Sequence, residues 1–281
     1  MVSLSILLRI SRPGLWLVFI WLYLWPGGGN YSLFNSWTFW IGLFYVTFPL
    51  NLLVYGMNDL VDEDVDMQNP RKGNLIYGAK TSRAQRSGLP LAIFVSNVLP
   101  LGLLSCLTQQ STYLFIWFCV AIFVNYLYNN KPFQLSRRCP FELPTMIVGH
   151  FLIPLFACQI NALPYPSVGS WLFNGFLLSR SHIWLEYADI ECDKKEGKRT
   201  IAVVLGPRRA LILVLSLTFL ESLVGFLVLK SYVLGSFSLF GMVVFYKSSG
   251  NKGVEKLSVS ISQSLVGLLL MCYLWLNSVL V

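Results

Sequence analysis

Residues 49–66 read PLNLLVYGMNDLVDEDVD: the stretch is almost wholly apolar over 49–57, then carries five carboxylates within the nine residues 58–66. On a helix, Asp59, Asp62 and Asp66 fall at i, i+3 and i+7, so they share one stripe. Followed backwards, that stripe reaches Tyr55 and Asn51, which carries polarity into the apolar segment. Like charges stacked in this way repel one another, and more strongly where the surroundings are of low dielectric. The fold therefore turns on what surrounds the segment and on what offsets its charge.

The surroundings are a membrane. The chain has 281 residues, 55% of them hydrophobic and 12% charged, a balance foreign to soluble domains. Apolar runs close to the ~20 residues that cross a bilayer recur at 14–30, 37–57, 89–107, 111–128, 142–162, 169–187, 210–229, 231–246 and 257–280. These nine runs predict an all-α, polytopic transmembrane bundle forming a single domain over 1–281. The first run follows Arg9 and Arg12 as a secretory signal would, but no small-residue cleavage site comes after it, and WPGGGN at 25–30 reads as a turn. No organellar targeting peptide is recognisable. The six cysteines are scattered without a CxxC pair or a neighbouring His cluster, so they suggest neither a zinc site nor a disulfide framework.

Nine spans place the N-terminus and the loops after the even-numbered helices on one side, together with 19 of the 21 Lys and Arg. By the positive-inside rule that side is cytoplasmic, or its organellar equivalent. The net charge of +8 is thus a topological feature, and nucleic acid is not an expected partner.

A second acidic group, Glu186, Asp189, Glu191, Asp193 and Glu196, occurs where the sixth span meets the same side. In it Glu186, Asp189 and Asp193 repeat the i, i+3, i+7 spacing. Mg²⁺ suits such carboxylates, because it takes oxygen ligands and is commonly held together with substrate phosphates. Basic residues follow both groups: Arg71 and Lys72 in NPRKG, then Lys80, Arg83 and Arg86, and later Lys194, Lys195, Lys198 and Arg199 in KKEGKRT. A pure cation site would not want them. A metal-bound diphosphate would, and the bland alternative is that these cations only fix topology. Aromatic residues such as Trp16, Tyr55, Tyr126, Tyr128, Phe176 and Trp184 are candidates for lining an isoprenoid cavity among many that pack or face lipid.

Asn58, Asp59, Asp62 and Asp66 match the NDxxDxxxD motif of the UbiA superfamily of intramembrane prenyltransferases, and Asp189 with Asp193 matches its second DxxxD motif. The Arg12-Pro13 pair, GKRT at 197–200 and the nine spans also look like that family, across essentially the whole chain. SRP at 11–13, PLNLLVYGMND at 49–59, NPRKG at 69–73 and the Ser181-His182 pair look most like the branch containing the lycopene elongases.

The resemblance implies nine helices around a central cavity, with the two acidic motifs facing one another under a cytoplasmic cap. It implies Mg²⁺-dependent transfer of a prenyl group from an allylic prenyl diphosphate to a lipophilic acceptor in the membrane, such as lycopene, a quinone-precursor ring or a tetrapyrrole. On that basis Asn58, Asp59, Asp62 and Asp66 hold one Mg²⁺ and Asp189 and Asp193 another, with Asp62, Asp66, Asp189 and Asp193 also counted as catalytic. Arg12, Asn58, Arg71, Lys72, Tyr128, Lys131, Lys198 and His182 are the substrate-binding candidates. Ionisable groups inside spans are functional candidates by default, which covers His182 and Arg180, with a hydrogen bond between helices as the rival account of His182. His150 and Glu221 are expected to be structural.

Two other classes compete. A divalent-cation transporter would set its carboxylates near the bilayer midplane, whereas here they crowd one face. A scaffold binding a soluble partner through acidic loops would leave the matched helical spacing unexplained.

Overall fold

The computed structural model describes residues 2–61, 72–250, 269 and 272–280. Its helices are α1 (Leu4–Ile10), α2 (Trp16–Leu24), α3 (Trp37–Thr47), α4 (Pro49–Val61), α5 (Arg83–Ser87), α6 (Leu89–Thr108), α7 (Ser111–Asn129), α8 (Glu142–Ile160), α9 (Val168–Lys195), α10 (Ile201–Leu223) and α11 (Tyr232–Ser248). Among the described residues there are no strands, only isolated bridges at Asn74–Gly78 and Arg138–Arg199. Among the described residues six stretches are long and apolar enough to span a bilayer: Leu4–Gly27, Trp37–Val61, Gln85–Thr108, Ser111–Asn129, Glu142–Ile160 and Ile201–Val228. The shorter α11 is apolar too. The sixth expected span is present as the 28-residue α9, although Arg180, His182 and Glu186 dilute its hydropathy. Most of the ninth, 257–280, lies outside the described residues, but its end is tied down where Ser170 Oγ donates to the Leu280 carbonyl at 2.8 Å. The chain is an all-α, multi-pass membrane protein.

Three of these observed stretches are interrupted, each next to a proline, the first and last of them ahead of the expected runs 14–30 and 210–229 and the second within 37–57. Arg12 stands in the left-handed region (φ 50°) before Pro13, so α1 ends there and α2 starts afresh. Trp16 Nε1 closes that corner by donating to the Ser11 carbonyl at 2.9 Å. The span from Trp37 breaks at Phe48, ahead of Pro49 at the first position of α4. Asn51 Nδ2 satisfies the carbonyls left over at that break, donating to Val46 and Thr47 at 2.8 Å each. Asn51 is therefore part of the corner and not of a polar lining. In α10 the interruption lies at Gly206 (φ 76°) and Pro207.

The chain divides into two compact units: Met1–Gln134 with Val148–Tyr165, and Leu135–Ile147 with Pro166–Val281. The first unit is centred on aromatic packing, with Tyr45, Trp117 and Phe156 in mutual contact at centroid distances of 5.9, 5.3 and 4.8 Å. Tyr23 extends it, donating to the Phe39 carbonyl at 2.9 Å and accepting from Asn161 at 3.0 Å. The second unit buries Ile183, Trp184, Tyr187, Ile190, Ala202, Ala210, Val214 and Phe245. Beside that cluster the Arg180 guanidinium pairs with Glu221, which also accepts from Ser238 Oγ at 2.8 Å. Arg180 and Glu221 are both buried, so each offsets the charge the other brings into the membrane. Outward-facing Trp37, Leu91, Phe115 and Phe240 remain exposed, as lipid-facing side chains are.

Candidate active site

In the first unit α4 delivers Asn58 and Asp59 at its end. Asp59 is only 2% exposed, and its Oδ1 accepts from two cations, Arg12 Nη2 at 3.0 Å and Lys72 Nζ at 2.6 Å. The Arg12 guanidinium also lies over the Tyr55 ring, 4.5 Å from its centroid. The segment that brings Lys72 is a tight loop: Gly73 N–H donates to the Gly78 carbonyl at 2.8 Å, and the Asn74 side chain caps the Ile76 and Tyr77 amides at 2.9 Å. Gly14 N–H anchors the loop through the Leu75 carbonyl at 3.1 Å. Gly78 has φ 89°, a conformation that favours glycine, and a β-carbon there would crowd Arg12 Nε at 3.3 Å and touch Asp59 Oδ2 at 3.4 Å. Asn58 Nδ2 donates to Asn129 Oδ1 at 3.1 Å, and Asn129 in turn donates to Asn125, forming an amide chain from α4 into α7.

In the second unit carboxylates gather around the start of α10. Glu142 Oε1 accepts from the Ile201 N–H at 2.6 Å, and Glu186 Oε2 accepts from the Ala202 N–H at 3.3 Å. Thr200 caps the same turn by accepting from Val203 N–H at 3.4 Å. Two buried carboxylates at a helix N-terminus complement its exposed amides and its dipole. The other oxygen of Glu186 stands 3.1 Å from His182 Nε2. One helical turn or more further on, Lys198 Nζ bridges Asp193 at 3.1 Å and Glu196 at 2.8 Å. The loop is held by backbone bonds from Cys139 N–H to the Arg199 carbonyl (2.7 Å) and from Arg199 N–H to the Arg137 carbonyl (3.0 Å). Burial pushes the Asp193 carboxyl above the usual carboxylate range, and Lys198 offsets this only in part. For Lys198 burial favours loss of the proton, but Asp193 and Glu196 outweigh it and raise the ammonium pKa. Burial raises Glu196 as well, yet its bond to Lys198 prevails and holds it below its ordinary value.

The residues expected from sequence are distributed accordingly. Arg12, Asn58, Asp59 and Lys72 come together in the first unit, where half-buried Tyr128 and exposed Lys131 end α7 and follow it. His182, Asp189, Asp193 and Lys198 belong to the second unit, with Asp189 half-buried on α9. Asp62, Asp66 and Arg71 lie outside the described residues. Arg180, weighed as a cavity residue, is engaged with Glu221, and His150 packs against Phe19 at 5.5 Å. The helix-capping carboxylates Glu142 and Glu186, the amide partner Asn129 and the loop glycine Gly78 are additions that sequence reading had not singled out for these roles.

Comparison with known proteins identifies the family. The chain is 28% identical to a lycopene elongase/hydratase of Corynebacterium glutamicum over 218 residues, covering 75% of this chain and 73% of the relative. It is 29% identical to a lycopene elongase/hydratase of Haloarcula japonica, covering 72% and 68%. Its fold matches that of a UbiA homolog from Archaeoglobus fulgidus bound to GPP and Mg²⁺, with a TM-score of 0.74, 18% identity and 96% of each chain covered. A digeranylgeranylglyceryl phosphate synthase gives a TM-score of 0.63 at 15% identity. The UbiA prenyltransferase family model matches residues 14–253. Spanning the membrane repeatedly and carrying this family's signature over most of its length, the chain belongs to the UbiA prenyltransferase family and is a prenyltransferase.

Proposed function

We propose that this enzyme transfers the prenyl group of an allylic prenyl diphosphate to a lipophilic polyene of the lycopene type, in a Mg²⁺-dependent reaction on the cytoplasmic side of its membrane. The observation that carries the reading is the pair of cations, Arg12 and Lys72, held against Asp59 at the end of the helix that bears the first acidic motif. Cations beside carboxylates fit a substrate that is itself anionic and arrives with divalent metal. The two lycopene elongase/hydratase relatives favour a polyene acceptor, and the crowding of Lys and Arg on one side favours the cytoplasmic orientation.

The donor set fits Mg²⁺. It consists of oxygen ligands alone, and Asn58 commits its amide nitrogen to Asn129, which orients the carbonyl oxygen as the atom a hard cation takes. Asn58, Asp62 and Asp66 would hold one ion and Asp189 and Asp193 the other. Burial disfavours the charged form of Asp193, and a divalent cation beside it would favour that form. Bound Mg²⁺ supplies Lewis-acid stabilisation of the charge on the departing diphosphate. Arg12 and Lys72 take up phosphate charge that the metal leaves uncovered. The allylic C–O bond breaks, a C–C bond forms to an alkene carbon of the acceptor, and that carbon framework loses one proton, so the products are prenylated acceptor, diphosphate and H⁺. Apolar packing excludes water, which would otherwise intercept the allylic cation.

The test is an assay of membranes containing the full chain with labelled dimethylallyl, farnesyl and geranylgeranyl diphosphates, Mg²⁺ and lycopene, quinone precursors or a tetrapyrrole. Label is expected in lycopene, and to be lost with EDTA or with Asp62→Asn. Label in an aromatic ring or tetrapyrrole instead would replace the acceptor. Absence of both transfer and Mg²⁺-dependent diphosphate binding would overturn the reading in favour of cation transport.

A further inference from the structure

We propose that Asp59 is a positioning residue for the donor diphosphate, an internal counter-ion that holds Arg12 and Lys72 together as a fork for phosphate oxygens, and that it is not a metal ligand. This rests on the reading above that the donor is a diphosphate. It changes the role of one member of the first acidic motif from binding metal to shaping the cationic half of the site.

Both cationic heads meet the same oxygen, Oδ1. Two like charges drawn to one point repel unless an anion lies between them, and Asp59 is that anion. A metal ion at Oδ1 would have to share it with two positive groups. Oδ2 is buried, has no hydrogen-bond partner among the described residues, and faces Gly78 at van der Waals distance from where a β-carbon would stand. Arg12 offers five N–H donors and gives one to Asp59, so the interaction orients the guanidinium without exhausting it.

Each cation is also held by its own segment. Arg12 is fixed by its left-handed backbone ahead of Pro13 and by the Tyr55 ring, and Lys72 by the loop that Gly73, Asn74 and Gly78 close. The fork is therefore formed before substrate arrives, which lowers the ordering cost of binding an anion.

Calorimetry on the purified full chain, with inorganic diphosphate as the probe across a Mg²⁺ series, separates the two roles. Asp59→Asn is expected to weaken diphosphate binding at saturating Mg²⁺ by about tenfold or more and to leave the half-saturating Mg²⁺ concentration unchanged. Asp62→Asn is expected to shift that concentration. In a Lys72→Gln background, Asp59→Asn is expected to cost several-fold less than in the wild type, because the two act as one unit. This double variant also removes the buried lysine charge that Asp59 offsets, and so gives a reading if Asp59→Asn alone fails to fold. The proposal is overturned if Asp59→Asn shifts the Mg²⁺ requirement as Asp62→Asn does and regains wild-type affinity when Mg²⁺ saturates, or if the Asp59 and Lys72 effects simply add. If wild-type protein binds no diphosphate with Mg²⁺ present, the prenyl-donor reading itself falls, a result distinct from either of these.

Discussion

The two units use carboxylates in opposite ways. In the first, buried Asp59 accepts from two cations that reach it from 47 and 13 residues away. In the second, Glu142 and Glu186 are occupied with the backbone amides that open α10, and Lys198 is shared between Asp193 and Glu196 on neighbouring turns. Asp59 of the first motif and Asp193 of the second thus sit in different electrostatic settings. The spacing says where acid groups stand, and the partners decide what their charge is for.

The largest effect that would sharpen this contrast is on stability. Glu221→Gln leaves Arg180 charged and buried without its partner, and should destabilise the second unit by about 3–5 kcal/mol, seen as a large fall in thermal unfolding temperature. Replacing both with apolar residues, Arg180→Met with Glu221→Leu, should restore most of it and retain prenyl transfer. Loss of transfer in a folded double variant would instead return Arg180 to the reaction.

A smaller effect is expected at Gly78. Alanine there must adopt positive φ and press on the Arg12–Asp59 pair, at a cost of about 1–2 kcal/mol. Donor KM should rise by roughly tenfold, with the Mg²⁺ response unaltered, whereas an unchanged KM would mean that the loop does not set the fork.

The smallest effect is pH-dependent and opposite in sign at two neighbours. Glu196 is held below its usual pKa, so its contribution to stability is full above the unfolded value of 4.5 and disappears as pH falls through the lower folded one. Asp193 is raised, so folding favours its protonated form, and the benefit present below 3.8 is lost as pH rises through the folded value. Near neutral pH, Glu196→Gln should lower the unfolding temperature slightly and Asp193→Asn should leave it equal or higher, each by less than about 1 kcal/mol. Both differences should shrink toward acid pH. The same sign for both would show that Lys198 does not distinguish them.

Much of this was legible in sequence because it depends on local periodicity. Apolar run length located the spans, and i, i+3, i+7 spacing grouped the acids on helical faces. The Arg12–Asp59 pair was not legible as a pair, since nothing local links residues so far apart; only the fold closes that distance. Asn51 was misplaced for a different reason. Read by helical phase it extends a polar stripe, but the chain breaks at Phe48, and the side chain serves the exposed carbonyls of that break. Glu142 carried no periodic signal at all, because its function is to meet amide groups of a helix that begins nearly sixty residues later.

The break before Pro49 has a consequence for how this membrane span can change over evolutionary time. An inserted residue in a continuous helix rotates everything beyond it by about 100°. Here the corner at Phe48, fastened by Asn51, isolates α4 from such a shift in α3. A length change in the segment before the corner is thereby not passed directly along the helix to α4, and the azimuth of Tyr55, Asn58 and Asp59 is set from the corner onward.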